Sequence, residues 1–429
     1  MLFYIKMIFV FYFFVFNLFC NVLSQIVFDF EKKYKSFNKD NFSEYVLNNK
    51  LISKIILGTP KQEIPIEIDF NEDYFYITDK IVNGNYDNTK SSSYFNTSKS
   101  NSYAFDNINE LFTSLENFYF KNYSNSEILS NNGFLLITKT KKKNLEELSK
   151  MGLTIKNYLE FYKYNLIFLL KQNKTIKTLT FYFQYLDNSK GKLFIGTEPH
   201  NIQKNIFSIE DYKTQYFDIS DSFNWYFYFN NITFYNISIN YKKIKFDANF
   251  YGIFPPTNLK EEIKEKVFNK LIEDKICFIE SNDKFEFSFF VCEKNFDIKN
   301  FQSLNFYLKE FNFNFTLTYK DLFIKNNNRY YCIILYENKS LIGRINWVIG
   351  EVFLKKYFIV FSQEKQLLGF YTKINTSTSF NITISWILTF VFFIISLILA
   401  FVVYKLLTQK KRKIRANELE DDIDYIQQI

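Results

Sequence analysis

One short pattern occurs twice in this chain. Residues 66–71 read Ile-Glu-Ile-Asp-Phe-Asn, and residues 244–249 read Ile-Lys-Phe-Asp-Ala-Asn. Each is an alternating strand that ends in an aspartate, Asp69 or Asp247, followed by a residue able to turn. Two similar strand–turn units half a chain apart can place two carboxylates face to face. Such a pair can share one proton and activate a water molecule, because two adjacent carboxylates do not both ionise readily.

Short runs typical of β-strands dominate the rest of the chain. Polar and apolar residues alternate in them, and Phe, Tyr, Ile and Val are enriched. The clearest amphipathic helix covers residues 259–272, and the polar stretch 83–102 is predicted to be a surface loop. The predicted strands are 51–57, 64–69, 179–186, 192–196, 225–229, 231–240, 242–247, 313–318, 330–335 and 356–361.

The N-terminal segment, residues 1–24, is typical of a secretory signal. Lys6 is its only charge, an aromatic and aliphatic run follows, and residues 22–24 (Val-Leu-Ser) precede a predicted cut at Gln25. A retained anchor helix is the alternative, and it is disfavoured because the apolar run is short for a membrane span.

Residues 382–404 contain no charged side chain and are long enough to cross a bilayer as a transmembrane helix. Trp386 and Tyr404 lie near its ends, where amphipathic rings prefer the membrane interface. A buried core helix is a much weaker interpretation, because basic residues follow at once and predict a cytosolic tail, 405–429. These basic residues are Lys405, Lys410, Lys411, Arg412, Lys413 and Arg415. The expected topology is a single-pass type I membrane protein of the secretory or endolysosomal system or cell surface, with its bulk lumenal or extracellular.

Composition narrows the chemistry that is available. The net charge of +8 comes partly from the tail, and the other lysines are interleaved with acids, so a nucleic-acid partner is not expected. The only histidine is His200, which leaves no Cys/His metal cluster and no zinc hydrolase motif. Neither a metal nor another cofactor is therefore predicted, and carboxylates are the best catalytic candidates.

Cysteines and sequons agree with an oxidising, glycosylating compartment. Of four cysteines, Cys20 leaves with the signal, and the simplest count for the remaining three is one disulfide and one free thiol. Asn-x-Ser/Thr sequons are spread along the chain, as in a lumenal glycoprotein. They are Asn41, Asn96, Asn122, Asn173, Asn231, Asn236, Asn314, Asn338, Asn375 and Asn381.

Two landmarks accompany the repeated pattern. Gly-Thr-Pro-Lys-Gln at 58–62 comes shortly before Asp69. Asp247 is followed by Phe-Pro-Pro at 254–256 and then by the predicted helix 259–272. Gly-Thr-Pro by itself is only a turn, and the Gly-rich cradle and Lys of a nucleotide loop are missing.

Two further landmarks lie elsewhere. Residues 347–361 begin Trp-Val-Ile-Gly-Glu-Val-Phe-Leu and are followed by Gly-Phe at 369–370, while Phe-Ile-Gly at 194–196 precedes Trp225. With all four landmarks in order, the chain resembles the pepsin-like aspartic proteases (peptidase A1) from about residue 47 to 372, as a divergent, single-pass membrane-anchored member.

The resemblance implies an all-β dominated, two-lobed fold with a central cleft, plus the C-terminal transmembrane helix. The N-terminal lobe is then 25–205, the C-terminal lobe 206–375 and the juxtamembrane segment 376–381.

The resemblance also assigns individual residues. Asp69 and Asp247 become the catalytic pair, and Tyr103 aligns with the tyrosine of a hairpin flap that closes on substrate. A disulfide is implied at the positions of Cys292 and Cys332, which leaves Cys277 without a partner.

The residues around each aspartate depart from the family's Asp-Thr-Gly motif. The Thr positions are Phe70 and Ala248, so the family's hydroxyl link between lobes is missing. The Gly positions are Asn71 and Asn249, which tolerate left-handed backbone but place a side chain in a tight site. The family's following Ser is Glu72, whose charge would disfavour ionisation of a nearby Asp69.

Three functions follow as hypotheses. In the first, the chain is an aspartic endopeptidase of peptide or protein substrates, with Asp69 and Asp247 as general base and general acid. In the second, catalysis is lost and the protein is a peptide-binding or surface glycoprotein. The first is slightly preferred because both acids are present where their surroundings have changed. An adhesion molecule or receptor is the third, and it does not explain the ordered landmarks.

Overall fold

The computed structural model of this chain describes most residues between the two ends. The predicted signal segment 1–24, the flap residue Tyr103 and the predicted membrane segment 382–404 lie outside the described residues. Within the described residues, no helix is both long and apolar enough to cross a membrane. The described residues are 25–34, 42–47, 49–80, 84–100, 108–140, 149–154, 165–216, 225–337, 346–373, 405, 408 and 409.

The chain divides into two compact units. The first comprises Met1–Ile202 and Ile209–Thr372, and the second comprises Gln203–Ser208 and Lys373–Ile429. Both aspartate-bearing segments and every strand named below belong to the first unit.

Strands dominate the first unit, so the prediction of an all-β dominated fold is confirmed. In chain order they are β1 (Ile26–Lys32), β2 (Leu51–Leu57), β3 (Gln62–Asp69), β4 (Phe75–Thr78), β5 (Phe95–Ser100), β6 (Ile108–Lys121), β7 (Glu127–Thr140), β8 (Ser149–Gly152), β9 (Thr180–Tyr185), β10 (Lys190–Ile195), β11 (Tyr212–Tyr216), β12 (Tyr226–Phe234), β13 (Ile237–Phe246), β14 (Ile253–Phe254), β15 (Cys277–Asn282), β16 (Phe287–Glu293), β17 (Leu304–Leu308), β18 (Phe313–Leu317), β19 (Phe323–Asn326), β20 (Arg329–Glu337), β21 (Trp347–Ile349), β22 (Ile359–Ser362) and β23 (Leu367–Tyr371).

Helices are short and connect the strands. The α-helices are Phe42–Leu47, Leu166–Gln172, Pro199–Ile202, Lys260–Ile263, Asn269–Glu273, Tyr319–Leu322 and Glu351–Lys356. A π-helical turn covers Lys264–Phe268, and 3₁₀ turns cover Asn88–Lys90, Thr257–Leu259, Ile298–Asn300 and Lys309–Phe311. The helix predicted at 259–272 is therefore present, broken into successive α, π and α turns. The loop predicted at 83–102 is partly wrong, because it contains β5.

The described strands form two sheets. The thirteen-stranded sheet has the order β11-β23-β22-β9-β10-β1-β2-β3-β8-β4-β7-β6-β5. The ten-stranded sheet has the order β15-β16-β20-β14-β21-β13-β12-β17-β18, with β19 paired to β20. Strands β22 and β23 join the first sheet, where β22 pairs with β9 and β23 pairs with β11.

The repeated sequence pattern corresponds to a repeated piece of topology. β3 ends at Asp69 and pairs in parallel with β8, while β4, after the turn, pairs in the antiparallel direction with the other side of β8. In the second half β13, β21 and β14 have the same relation. In both halves the chain turns immediately after the aspartate and crosses to the far side of an inserted strand.

Two glycines permit this crossing. Gly152 lies opposite Asp69, and Gly350 follows the β21 residue opposite the end of β13. A Cβ at Gly152 would collide with the carbonyl oxygen of Glu72, and one at Gly350 would collide with that of Phe250. The turn after each aspartate thus packs on a position that only glycine can occupy.

Aromatic side chains fill the core around the first turn. Phe70, which follows Asp69, is almost fully buried. Its ring centroid lies 5.1 Å from Phe361, 6.1 Å from Trp225 and 6.2 Å from Phe181. Each such pair contributes about 0.5–1.5 kcal/mol beyond area burial. Phe70, which stands where a Thr hydroxyl was expected, therefore contributes aromatic packing instead of a hydrogen bond.

The structure corrects the predicted disulfide. Cys292 is bonded to Cys277, and Cys332 has a free, buried thiol. Cys277 and Cys292 lie directly opposite each other in the β15–β16 ladder, whereas the β20 residue opposite Cys292 is Tyr330. Pairing of Cys292 with Cys332 is therefore wrong, because strand register brings a different cysteine into reach. Burial raises the pKa of the Cys332 thiol to about 12.

Candidate functional site

The two predicted catalytic aspartates occupy matching positions at strand ends. Asp69 is the last residue of β3, and its side chain is 15% exposed. Asp247 follows directly after β13 and is half-buried. Its backbone N–H donates to the carbonyl of Ile349, the last residue of β21. The side-chain Nδ2 of Asn71 donates to Oδ2 of Asp247, so the two aspartate turns lie in contact.

Both oxygens of Asp69 have partners. Oδ1 accepts hydrogen bonds from the backbone N–H groups of Asn71 (3.0 Å) and Glu72 (3.3 Å). Oδ2 lies 3.2 Å from the Nζ of Lys150 in an ion pair. Two backbone donors and one cation therefore bind the Asp69 carboxylate.

Lys150 was not found by sequence reasoning. It lies on β8, opposite Glu67 of β3, and its side chain is 25% exposed. Burial disfavours its charge, but the negative charges of Asp69, Glu67 and Glu72 outweigh this and raise the pKa of Lys150. The ammonium is thus firmly charged beside Asp69. Its sequence signal was weak, because nothing in an isolated Ser-Lys-Met-Gly strand shows which strand it will join.

Asp247 is also fully engaged. Its Oδ1 accepts from the backbone N–H of Asn249 at 3.0 Å, and its Oδ2 accepts from the Nδ2 of Asn71 at 2.9 Å. Burial is the largest influence and raises the pKa of Asp247, and the charge of Asp69 adds to the rise. Lys245 and the hydrogen bonds from Asn71 and Asn249 oppose it. Asp247 therefore holds its proton more tightly than an ordinary aspartate.

The side chain of Asn249, in the second aspartate turn, forms hydrogen bonds with the first half of the chain. Its Oδ1 accepts from the backbone N–H of Phe70 at 2.6 Å, and its Nδ2 donates to the carbonyl of Ile68 at 2.8 Å. Asn71 bonds from the first turn to Asp247, so each turn supplies one asparagine that bonds the other. These three side-chain hydrogen bonds from Asn71 and Asn249 are called the asparagine clasp below.

The two asparagines thus act differently from the expectation. Neither Asn71 nor Asn249 is among the described residues with positive φ, so neither serves as a left-handed substitute for glycine. Instead, their side chains provide the connection between the two halves that the hydroxyl positions Phe70 and Ala248 do not provide.

A buried polar cluster supports the second turn. Asn49 donates from its backbone to the carbonyl of Asn249 (3.1 Å) and from Nδ2 to the carbonyl of Ala248 (3.3 Å). The same Nδ2 donates to Glu351, which forms an ion pair with Lys32. Both charged side chains are fully buried. Sequence reasoning missed this cluster, although Glu351 belongs to the run 347–361 that it singled out.

The remaining predicted site features are placed as follows. Tyr103 lies outside the described residues, so its role as a flap residue stays a prediction. Within the described part of the chain, no group of three or more His, Cys, Asp or Glu residues is arranged to hold a metal ion. His200 accepts or donates one hydrogen bond through Nδ1 to the hydroxyl of Tyr371 at 2.8 Å.

The geometry limits what the aspartates can do. Each of the four carboxylate oxygens already has at least one donor from the protein. A water molecule activated between Asp69 and Asp247 would compete with Asn71, whose backbone N–H bonds Asp69 and whose Nδ2 bonds Asp247. The arrangement therefore favours a structural connection over general acid–base chemistry.

Comparison with known proteins gives similarity of fold. No family model matches the chain, and no curated protein matches it. Among solved structures, basic 7S globulin from soybean matches with a TM-score of 0.59 at 12% identity, over 82% of this chain and 96% of the globulin. Conglutin gamma, a basic 7S globulin from lupine seeds, matches with a TM-score of 0.60 at 12% identity over the same shares.

These findings correct the expected membership in the pepsin-like aspartic protease family. No model of any family matches, and the similar solved structures named above are seed globulins. The landmarks that suggested the family, such as 58–62 and 347–361, are turn, strand and helix residues, which constrain backbone geometry far more than chemistry. The chain is similar in fold to the basic 7S globulins, and at this identity the likeness shows the fold alone.

Proposed function

We propose that this chain is a non-catalytic, membrane-anchored surface glycoprotein in which Asp69 and Asp247 hold two lobes together. The single observation that carries the proposal is the occupation of all four carboxylate oxygens by Lys150, backbone N–H groups and Asn71. Each carboxylate oxygen has two lone pairs, but a general base must direct one of them at the attacking water. Here the ammonium of Lys150 binds Oδ2 of Asp69, and the side-chain amide of Asn71 binds Oδ2 of Asp247. Both carboxylates therefore accept hydrogen bonds from groups of the fold itself.

The architecture that goes with this function is two-lobed, with lobes at 25–205 and 206–375 around a cleft. It is supported by the repeated β3–β8–β4 and β13–β21–β14 units, each with its own aspartate turn. The placement outside the cytosol rests on the sequence of segments 1–24 and 382–404.

Aspartic endopeptidase activity is the competing function, because one observation favours it. Burial and the neighbouring Asp69 raise the pKa of Asp247, and catalytic carboxyl pairs depend on one member that retains its proton. Against it, the ammonium of Lys150 occupies Asp69 and the amide of Asn71 occupies Asp247.

A proteolysis assay separates the two functions. The full chain, purified in mild detergent, is incubated with an unfolded protein substrate from about pH 3 to 7, the range in which paired carboxyls work. Asp69→Asn and Asp247→Asn are the test variants, and Asp283→Asn, at an exposed position, is the matched control. The proposal predicts the same background cleavage in all four proteins. Cleavage by the parent and the control that disappears in both test variants would overturn it.

A further inference from the structure

Three sequons meet on one outer face of the ten-stranded sheet. Asn231 on β12 lies opposite Tyr307 on β17, and Tyr307 lies opposite Asn314 on β18. The neighbouring row contains Thr233, the hydroxyl residue of the Asn231 sequon. Because strands are about 4.8 Å apart, Asn231 and Asn314 are about 10 Å apart on the same surface.

Hydrogen bonds confirm that these side chains share the face. Ser238 Oγ donates to Asn231 Oδ1 at 3.1 Å, and Thr316 Oγ1 donates to Asn305 Oδ1 at 2.8 Å. Ser238 completes the sequon of Asn236, which is exposed in the turn between β12 and β13. The rows directly behind this face point into the core, where Ile232 and Phe306 are buried.

The two rows that contain the sequons carry no charged side chain. Its two rows are Asn240–Asn231–Tyr307–Asn314 and Ser238–Thr233–Asn305–Thr316. All eight side chains are uncharged, although 23% of the residues in the chain are charged. Exposed sheet surfaces normally carry charged residues that oppose association with other chains. On this surface Lys243 lies beyond the two rows, opposite Tyr228.

The face ends at β18 (Phe-Asn-Phe-Thr-Leu), beyond which the described residues place no further strand of this sheet. The Tyr357 hydroxyl bonds both the backbone N–H and the carbonyl of Thr316, so those groups point away from β17. By the two-residue period of a strand, the backbone groups of Asn314 point to the same edge, where Tyr357 covers only the groups of Thr316. An uncharged, apolar edge strand of this kind is an aggregation hazard.

We propose that this face carries N-linked oligosaccharides at Asn231, Asn236 and Asn314, and that the one on Asn314 shields the β18 edge. In each transfer, the C1–O bond between the oligosaccharide and a polyprenyl diphosphate carrier breaks and a bond from C1 to Asn Nδ2 forms. The amide loses one proton to solvent, and the polyprenyl diphosphate leaves. The inference rests on the lumenal placement in the proposed function, and not on the state of the aspartates.

A fourth described sequon provides the internal contrast. Asn122 is 1% exposed, and its Oδ1 accepts from Ser124 Oγ and from the backbone N–H of Ser126. A sugar on this side chain is incompatible with the fold. Asn96 is exposed on β5, so a glycan at Asn96 shows that the chain was accessible to the glycosylating enzyme.

The test is a glycopeptide map of the full chain purified from a eukaryotic secretory host. Enzymatic release of the glycans in heavy-oxygen water converts each occupied Asn to a labelled Asp that mass spectrometry identifies. We expect Asn96, Asn231, Asn236 and Asn314 to be labelled and Asn122 not to be. An unlabelled Asn231, Asn236 or Asn314, or a labelled Asn122 in folded protein, overturns the proposal.

Two variants test the shielding. Asn314→Gln removes one glycan, whereas Thr316→Ser keeps the sequon and a hydroxyl for Asn305. The intact mass should fall by one oligosaccharide in the first variant and by none in the second. Asn314→Gln should also raise the oligomeric fraction in sedimentation relative to Thr316→Ser, and equal fractions would refute shielding. Cleavage in the proteolysis assay would refute the proposed non-catalytic function while leaving this map unchanged.

Discussion

Removing one asparagine should weaken the connection between the two halves by a measurable amount. In Asn249→Ala, the buried backbone N–H of Phe70 loses its acceptor and the carbonyl of Ile68 loses its donor. A buried donor left unpaired costs about 1–3 kcal/mol, and loss of a second neutral hydrogen bond costs about 1 kcal/mol. The expected loss of unfolding free energy is therefore about 2–4 kcal/mol, a large share of the stability of a typical protein.

The assay is urea unfolding of the full chain in detergent, followed by tryptophan fluorescence, because Trp225 packs 6.1 Å from Phe70 beside the clasp. Asn295→Ala, at an exposed turn position, is the matched control and should change stability by less than about 0.5 kcal/mol. Asn249→Asp keeps an acceptor for Phe70 but places an acceptor oxygen against the Ile68 carbonyl, beside Asp247, so at neutral pH it should be at least as destabilised as Asn249→Ala. If Asn249→Ala is no less stable than Asn295→Ala, the clasp does not hold the halves together and the structural role assigned to the aspartates fails.

Three further predictions concern buried groups. Lys32→Met should destabilise the fold by about 3–5 kcal/mol in urea unfolding, because Glu351 keeps an uncompensated buried charge, and adding Glu351→Leu should recover most of the loss. Because the folded-state pKa of Asp247 is raised above 3.8, its ionisation destabilises the fold: the penalty is absent at low pH and develops as pH rises from 3.8 through the folded-state pKa. Asp247→Asn should flatten that part of the stability–pH curve, and an unchanged curve contradicts the shift. Non-reducing peptide mapping should recover Cys277 linked to Cys292, and recovery of any other pair contradicts the register of β15 and β16.

Local pattern predicted much of the fold because periodicity is a local property. The run 51–57 coincides with β2, and the predicted strand 313–318 overlaps β18. The predicted run 356–361 was partly wrong, because the helix Glu351–Lys356 occupies its start and β22 begins at Ile359. Such boundary errors arise where a turn and tertiary packing decide between helix and strand.

Contacts between distant segments were beyond sequence reasoning. Three cysteines allow three possible disulfide pairs. The register of β15 against β16 determines which pair forms, and no single segment of the sequence encodes that register. Lys150 meets Asp69 only because β8 inserts beside β3 in parallel. Likewise, an asparagine at a glycine position predicts only that left-handed backbone is tolerated there. Whether Asn71 or Asn249 also forms hydrogen bonds to the other half depends on how closely the two aspartate turns approach each other.

The presence of both aspartates was the main reason to expect catalysis, and the structure gives another reason for them. In each half the carboxylate accepts the backbone N–H two residues on, Asn71 for Asp69 and Asn249 for Asp247. This is an Asx turn, which aspartate forms readily and which mimics a backbone turn. The turn then aims the asparagine side chain across to the other half. The Asp-x-Asn sequence therefore gives each acid a structural role, since the aspartate forms the turn and the asparagine forms the clasp.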